Sequence, residues 1–120
     1  MTNYEHGHHA EKVAAHHLEG LGYAILTLNW RHPRGEIDII AQKQRRGRAT
    51  GPVVLFEVKY RQHLTQGQGL DYITARKLEQ MRFAAELWAL QVRYEGEYIL
   101  GAIEVAGEDY RVTQLLENLM

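Results

Sequence analysis

The chain contains no cysteine. That excludes a disulfide framework and any thiolate metal site, and it fits a reducing compartment. No apolar run approaches the length that spans a bilayer, and the N-terminus is polar and His-rich where a signal peptide would be apolar, so a cytoplasmic protein with no membrane partner is the expectation. Nor is one sign of charge in excess: 14 Lys and Arg against 15 Asp and Glu give a net charge of −1, so the protein as a whole is not a basic nucleic-acid binder. What is present is ordinary for a globular fold, with 45% hydrophobic and 24% charged residues. A length of 120 residues suits a single domain, 1–120, with one core.

The informative stretch runs from Gly35 to Arg61. Gly-Glu-Ile-Asp-Ile-Ile-Ala and Val-Val-Leu-Phe-Glu-Val-Lys-Tyr-Arg are short apolar runs rich in Ile, Val and Phe, bounded by Gly and Pro, and read as two β-strands. Side chains alternate between the faces of a strand, so Glu36 and Asp38 share one face, as do Glu57 and Lys59, which lie roughly 6.5–7 Å apart along their strand. If the strands pair, acids and lysine converge. Hard divalent cations take oxygen ligands, often one or two carboxylates completed by water and phosphate oxygens, and Asp38 with Glu57 could supply them. The bland alternative is the wet face of an antiparallel sheet. Against it, Ile40 has the parity of Asp38, and Val53 and Leu55 that of Glu57, so both faces are apolar and the charges need a reason.

These residues also carry a resemblance. Asp38, the Glu57-Val58-Lys59 triplet and the Gly-Glu-Ile-Asp lead-in resemble the core of the PD-(D/E)xK nuclease superfamily, and more specifically the YraN-type family of small, largely uncharacterised bacterial proteins similar to Holliday junction resolvases. The likeness includes Gly7, Glu11 to Ala14, Gly22-Tyr23, Asn29, Gly35 to Ala41, Phe56 to Arg61, Lys77 and Ala84 or Ala85, about the first three quarters of the chain. It implies an α/β fold, a restriction-endonuclease-like mixed central sheet flanked by helices. It also implies a Mg²⁺- or Mn²⁺-dependent nuclease acting on DNA, or alternatively RNA. Asp38 and Glu57 would hold the metal with the Val58 carbonyl, Lys59 would polarise the attacking water or stabilise the phosphorane, and Glu11 would position a second metal or a water. Glu36 fits an ion pair better than a ligand. The chain departs from the family at Tyr98-Ile99-Leu100-Gly101, where an Arg-Phe-Asp-like start is expected.

Around this core, apolar residues at helical spacing predict a first helix from about His8 to Leu21, ended by Gly20 and Gly22. Five histidines, His6, His8, His9, His16 and His17, read as a polar helix surface, because adjacent residues on a helix point in different directions. Tyr23 to Trp30 alternates as a first strand with Ala24, Leu26, Leu28 and Trp30 on one face, and Asn29 to Arg34 reads as a turn. Gln42 to Pro52 reads as a long basic loop, in which Arg45, Arg46 and Arg48 could track a phosphate backbone or only keep the loop solvated. Gln66-Gly67-Gln68-Gly69 marks a flexible link. Asp71 then reads as N-cap of a second helix up to about Val92, with Leu78, Met81, Ala85, Trp88 and Val92 as its core face. Tyr98 to Val105 and Tyr110 to Val112 read as further strands, followed by a short helix containing Leu115, Leu116 and Leu119.

Arg34, Arg61 and Lys77, with the three loop arginines, are the candidate nucleic-acid contacts. They place positive charge around the central stretch while the C-terminal segment is weighted toward acids. Two other readings stand beside the nuclease. One is a nucleic-acid-binding accessory module without useful catalysis. The other is an assembly protein in which Trp30 or the Leu-rich C-terminus forms a homodimer surface.

Overall fold

A computed structural model describes residues 1–63 and 71–119. Its elements are α1 (Asn3–Gly20), β1 (Tyr23–His32), β2 (Gly35–Arg45), β3 (Arg48–Arg61), α2 (Ala75–Val92), β4 (Tyr98–Ala106) and β5 (Arg111–Leu116). The five strands form one sheet in chain order, antiparallel except where β4 runs parallel to β3. A parallel neighbour needs a crossover, and α2 supplies it. The two helices cover opposite faces, which makes a mixed α/β arrangement compatible with a restriction-endonuclease-like fold.

The helices divide the core in two. Ala10, Ala14 and Leu18 of α1 meet Tyr23, Ile39, Ala41, Val54, Phe56, Ile103 and Val105. Met81, Ala84, Ala85 and Trp88 of α2 meet Ile37, Ile40, Val53, Leu55 and Leu100. A strand covered on both sides has no wet face, which is why Val53 to Phe56 is an unbroken apolar run. Helix α2 approaches β2, and the strands around β4 approach one another, closely where a side chain is missing. A Cβ on Gly35 would stand 3.1 Å from that of Ala84, and one on Gly101 would stand 2.7 Å from the Phe56 ring and 2.9 Å from the Leu116 carbonyl.

Several boundaries differ from the expectation. Helix α1 starts five residues before His8, because Thr2 caps it: its hydroxyl accepts from the Glu5 N–H at 3.1 Å and donates to the Glu5 carboxylate, a Thr-x-x-Glu capping box. Helix α2 is capped by Thr74, whose hydroxyl accepts from the Lys77 N–H at 3.1 Å; Asp71 lies in the preceding turn. Strand β1 runs on to His32, leaving only Pro33 and Arg34 as the turn, and its alternation breaks near Leu26, where the register shifts, and at Asn29. Leu26 and Leu28 are consequently exposed, while Trp30 packs toward α2.

Gln42 to Pro52 is not a loop. β2 and β3 continue through it as a ribbon, turning on Arg46 (φ 55°) and Gly47 (φ 76°), both left-handed as a two-residue hairpin turn requires. The C-terminal helix is also absent among the described residues. Leu115 and Leu116 belong to β5, where pairing with β4 satisfies the backbone, and the Leu119 N–H bonds the Leu100 carbonyl. A short apolar run carries no decisive period, so its partner strand decides. The Gln66 to Gly69 link lies outside the described residues.

Gly101 gives the packing a direct test. Gly101→Ala is expected to cost about 1–3 kcal/mol in urea denaturation, because neither the Phe56 ring nor the Leu116 carbonyl has room to retreat. An unchanged midpoint would show that β4 and β5 are spaced more loosely than described.

Candidate functional site

Strands β2 and β3 pair from the hairpin as far as Ile39 opposite Phe56. One step further, where Asp38 would face Glu57, the ladder stops. The Val58 N–H instead donates to Oδ2 of Asp38 at 2.8 Å, so a carboxylate takes the place of a main-chain acceptor. The local chain is shaped for this. Ile37 packs with the α2 core and Ile39 with the α1 core, a change of face at Asp38, and Asn29 on the neighbouring strand is left-handed (φ 53°).

Four carboxylates gather around the parting. Burial, and after it the charge of Glu57, pushes the Asp38 pKa up to about 7; Glu11 and Glu36 add to this and the Val58 N–H opposes it. Glu11 reaches the same region from α1 and is also raised, first by burial, with His8 and Arg31 opposing. With its amide nitrogen turned toward Glu11, Asn29 donates to both carboxylate oxygens, at 3.1 and 2.7 Å. Glu36 is ion-paired with Arg31 at the surface. Glu57 is met by the Lys77 ammonium at 3.1 Å, both side chains being mostly covered.

Lys59 follows Glu57 on the same side of β3 and is exposed, its ammonium 5.5 Å from the centre of the Tyr72 ring. A groove of about 530 Å³ opens beside Glu57, lined among others by Arg34, Arg76, Lys77 and Phe83, with the Arg34 guanidinium 5.5 Å over the Phe83 ring.

The remaining candidate cations lie apart from this groove. Arg61 turns to β4, where its Nε donates to Glu104 at 2.5 Å and Thr113 donates to the other oxygen at 2.7 Å. Glu104 is only 5% exposed, and this pair joins β3, β4 and β5. Arg45, Arg46 and Arg48 are exposed at the ribbon tip. At about 3.3 Å per residue, the tip is roughly 25 Å along the strand from Asp38.

Asp38, Glu57 and the Val58 carbonyl make an all-oxygen donor set. Among the described residues no group of three or more His, Cys, Asp or Glu side chains is arranged to hold a metal ion. Two carboxylates that resist each other's charge suit a hard cation that keeps several waters, as Mg²⁺ does, better than one needing a full set of protein ligands. Of the N-terminal histidines, His6 stacks on Tyr60 and bonds the Tyr110 hydroxyl, His9 meets Tyr110 edge-on, and His8 meets Tyr4 while lying close enough to Glu11 to act on its charge.

Asn29 as the clamp on Glu11, Lys77 as the partner of Glu57, and Tyr72 under Lys59 are contributions that strand periodicity does not reveal. Asn29 left two traces, its place in the family resemblance and its being a polar residue tolerant of left-handed backbone inside an apolar strand.

Fold and site together define an α/β domain that displays a carboxylate and lysine cluster where two central strands separate. The chain belongs to the uncharacterised protein family UPF0102, whose model matches residues 10–107 and so spans the described site. It is 39% identical over 82 residues to a UPF0102 protein of Clavibacter michiganensis, covering 68% of this chain and 64% of that one. A UPF0102 protein of Mycolicibacterium smegmatis is 40% identical over 88 residues, covering 73% and 68%. One from Cytophaga hutchinsonii is 30% identical over 112 residues, covering 93% and 94%. The match with the Clavibacter protein thus spans just under two thirds of that relative's length. No helix among the described residues is long and apolar enough to cross a membrane.

The pKa of Asp38 yields a stability test. Folding raises it from 3.8 to about 7, so the native state holds a proton that the unfolded chain releases between those values. The resulting stabilisation is complete below about pH 4 and lost as pH rises through 7. In EDTA, Asp38→Asn, whose amide oxygen can still accept from Val58, is expected to raise the melting temperature by about 5 °C at pH 8 and to leave it nearly unchanged at pH 4. Equal shifts at both pH values would contradict the described burial.

Proposed function

We propose that this chain is a metal-dependent phosphodiester hydrolase of the PD-(D/E)xK kind, acting on DNA and in particular on structured or branched DNA. The observation that carries the reading is the placement of Asp38. Its carboxylate sits in the parting of β2 and β3, bonded to the Val58 N–H and close enough to Glu57 to feel its charge, with Lys59 next on the Glu57 side.

Asp38, Glu57 and the Val58 carbonyl would hold Mg²⁺ or Mn²⁺. Such a cation would neutralise phosphate charge and lower the pKa of a coordinated water. The Lys59 ammonium would draw charge from the non-bridging oxygens of the phosphate. Glu11, its rotamer set by Asn29, can hold a second water or accept its proton. Arg34, Arg76 and Lys77 would be the phosphate contacts in the groove beside Glu57, which Glu36 and Glu79 also line, so that a bound cation is needed to offset the acids before a phosphate backbone can settle there.

The ion pair between Lys77 and Glu57 favours one other reading, a DNA-binding accessory module. In that case an internal ammonium permanently neutralises the site.

The two readings separate in one experiment. Single-stranded, duplex, flapped and four-way DNA are incubated with Mg²⁺ or Mn²⁺ and, in parallel, with EDTA. Metal-dependent cleavage of at least one substrate is expected, with Asp38→Ala and Lys59→Ala each lowering the rate at saturating DNA at least about 10²-fold. Binding that persists in EDTA with no cutting of any substrate would sink the hydrolase and leave the module.

The ribbon tip is tested separately. Replacing Arg45, Arg46 and Arg48 by Gln is expected to reduce the slope of log affinity against log salt by about 1–3 while the cleavage rate at saturating DNA stays the same. An unchanged slope would remove the tip from the interface.

A further inference from the structure

Tyr72 lies in the turn before α2, held there in part by the Thr74 N–H donating to its carbonyl at 3.0 Å. Its hydroxyl is fully buried and has no hydrogen-bond partner, the one such side-chain atom among the described residues. Buried hydroxyls are nearly always paired, because an unpaired one carries an uncompensated desolvation cost. The groups whose charge it feels are Glu57, Asp38, Glu104 and Arg61, and none is within bonding reach. Glu104 and Arg61 already satisfy each other.

The hydroxyl is therefore buried within the electrostatic reach of the site carboxylates yet bonded to none of the charged groups around it. Burial, and after it the charges of Glu57 and Asp38, raise its pKa, so it remains an O–H donor. The Lys59 ammonium rests over the face of the same ring. The phenol O–H and the ammonium over its ring are both donors suited to an anionic oxygen.

We infer that the Tyr72 hydroxyl is a ligand-binding group of this site, donating to a phosphate oxygen of the bound DNA. The inference rests on the proposed nuclease reading and adds to it a phosphate contact from the segment leading into α2. It also explains why a buried phenol is left unpaired: its partner arrives with the substrate, once the groups that now cover the oxygen have moved aside.

Tyr72→Phe removes this one oxygen and nothing else. Two measurements on the full chain are needed, melting without DNA or metal, and binding and Mg²⁺-dependent cleavage of a fluorescein-labelled flapped DNA duplex. The expected result is a melting temperature equal to or above that of the wild type, since an unpaired polar atom has been removed, together with about a tenfold or greater loss in binding or cleavage. A lowered melting temperature would overturn the inference by showing that the hydroxyl is already bonded in the free protein. Unchanged binding and cleavage, with Asp38→Ala still inactive, would overturn it while leaving the nuclease reading in place. If the wild-type protein neither binds nor cuts the flapped duplex or any of the single-stranded, duplex and four-way DNAs, that reading fails and the inferred phosphate contact fails with it.

Discussion

The hydrogen bond from the Val58 N–H to the Asp38 carboxylate is the interaction on which the rest of this site depends. A central strand pair in a sheet covered on both faces would ordinarily run its ladder to the end, since unpaired backbone groups have no water to turn to. Here the ladder ends at Ile39 and Phe56, and a side chain takes over one of the lost acceptor roles. The strands can then diverge without leaving the Val58 donor unsatisfied. The divergence leaves room for Glu57 and Lys59 from one side and Glu11 from the other.

The same bond has an electrostatic consequence. It fixes Asp38 in a poorly solvated position beside Glu57, and burial outweighs the help that the Val58 N–H gives to the charged form. The surrounding acids are managed one by one, Glu36 by Arg31, Glu57 by Lys77 and Glu11 by the Asn29 amide, while Asp38 has only a backbone donor. A fold needing no more than stability would gain by replacing such a cluster with apolar side chains. Retaining it is intelligible if a cation and a phosphate complete it.

How far this was legible depends on what each residue's signal rests upon. Val53 to Phe56 announces a strand buried on both faces through composition alone, and Glu57 and Lys59 then stand out as charges at its end. The apolar stripe of α1 and the core face of α2 are likewise periodic and local. Thr2 and Glu5 also form a local signal, a capping box that sets the helix start at Asn3 where apolar spacing alone suggests His8. Other features belong to tertiary structure. Arg46 and Gly47 form a tight turn because two strands extend to meet there, and an Arg in the first left-handed position is not the Asn or Asp that signals such a turn. Leu115 and Leu116 are strand residues because β4 has a free edge for them. Arg61 looks like a basic residue of the site until the buried Glu104 on the adjacent strand is seen to hold it. Nothing local marks Tyr72, whose interest lies in a partner it lacks.

The central claim is that Asp38 and Glu57 share one cation at the strand parting, and crystals soaked in Mn²⁺ test it most directly through anomalous scattering. The account predicts a peak bound by Asp38 and Glu57 next to the Val58 carbonyl, lost in Asp38→Ala crystals. No peak there, with manganese instead found only among the N-terminal histidines or nowhere on the chain, would contradict it.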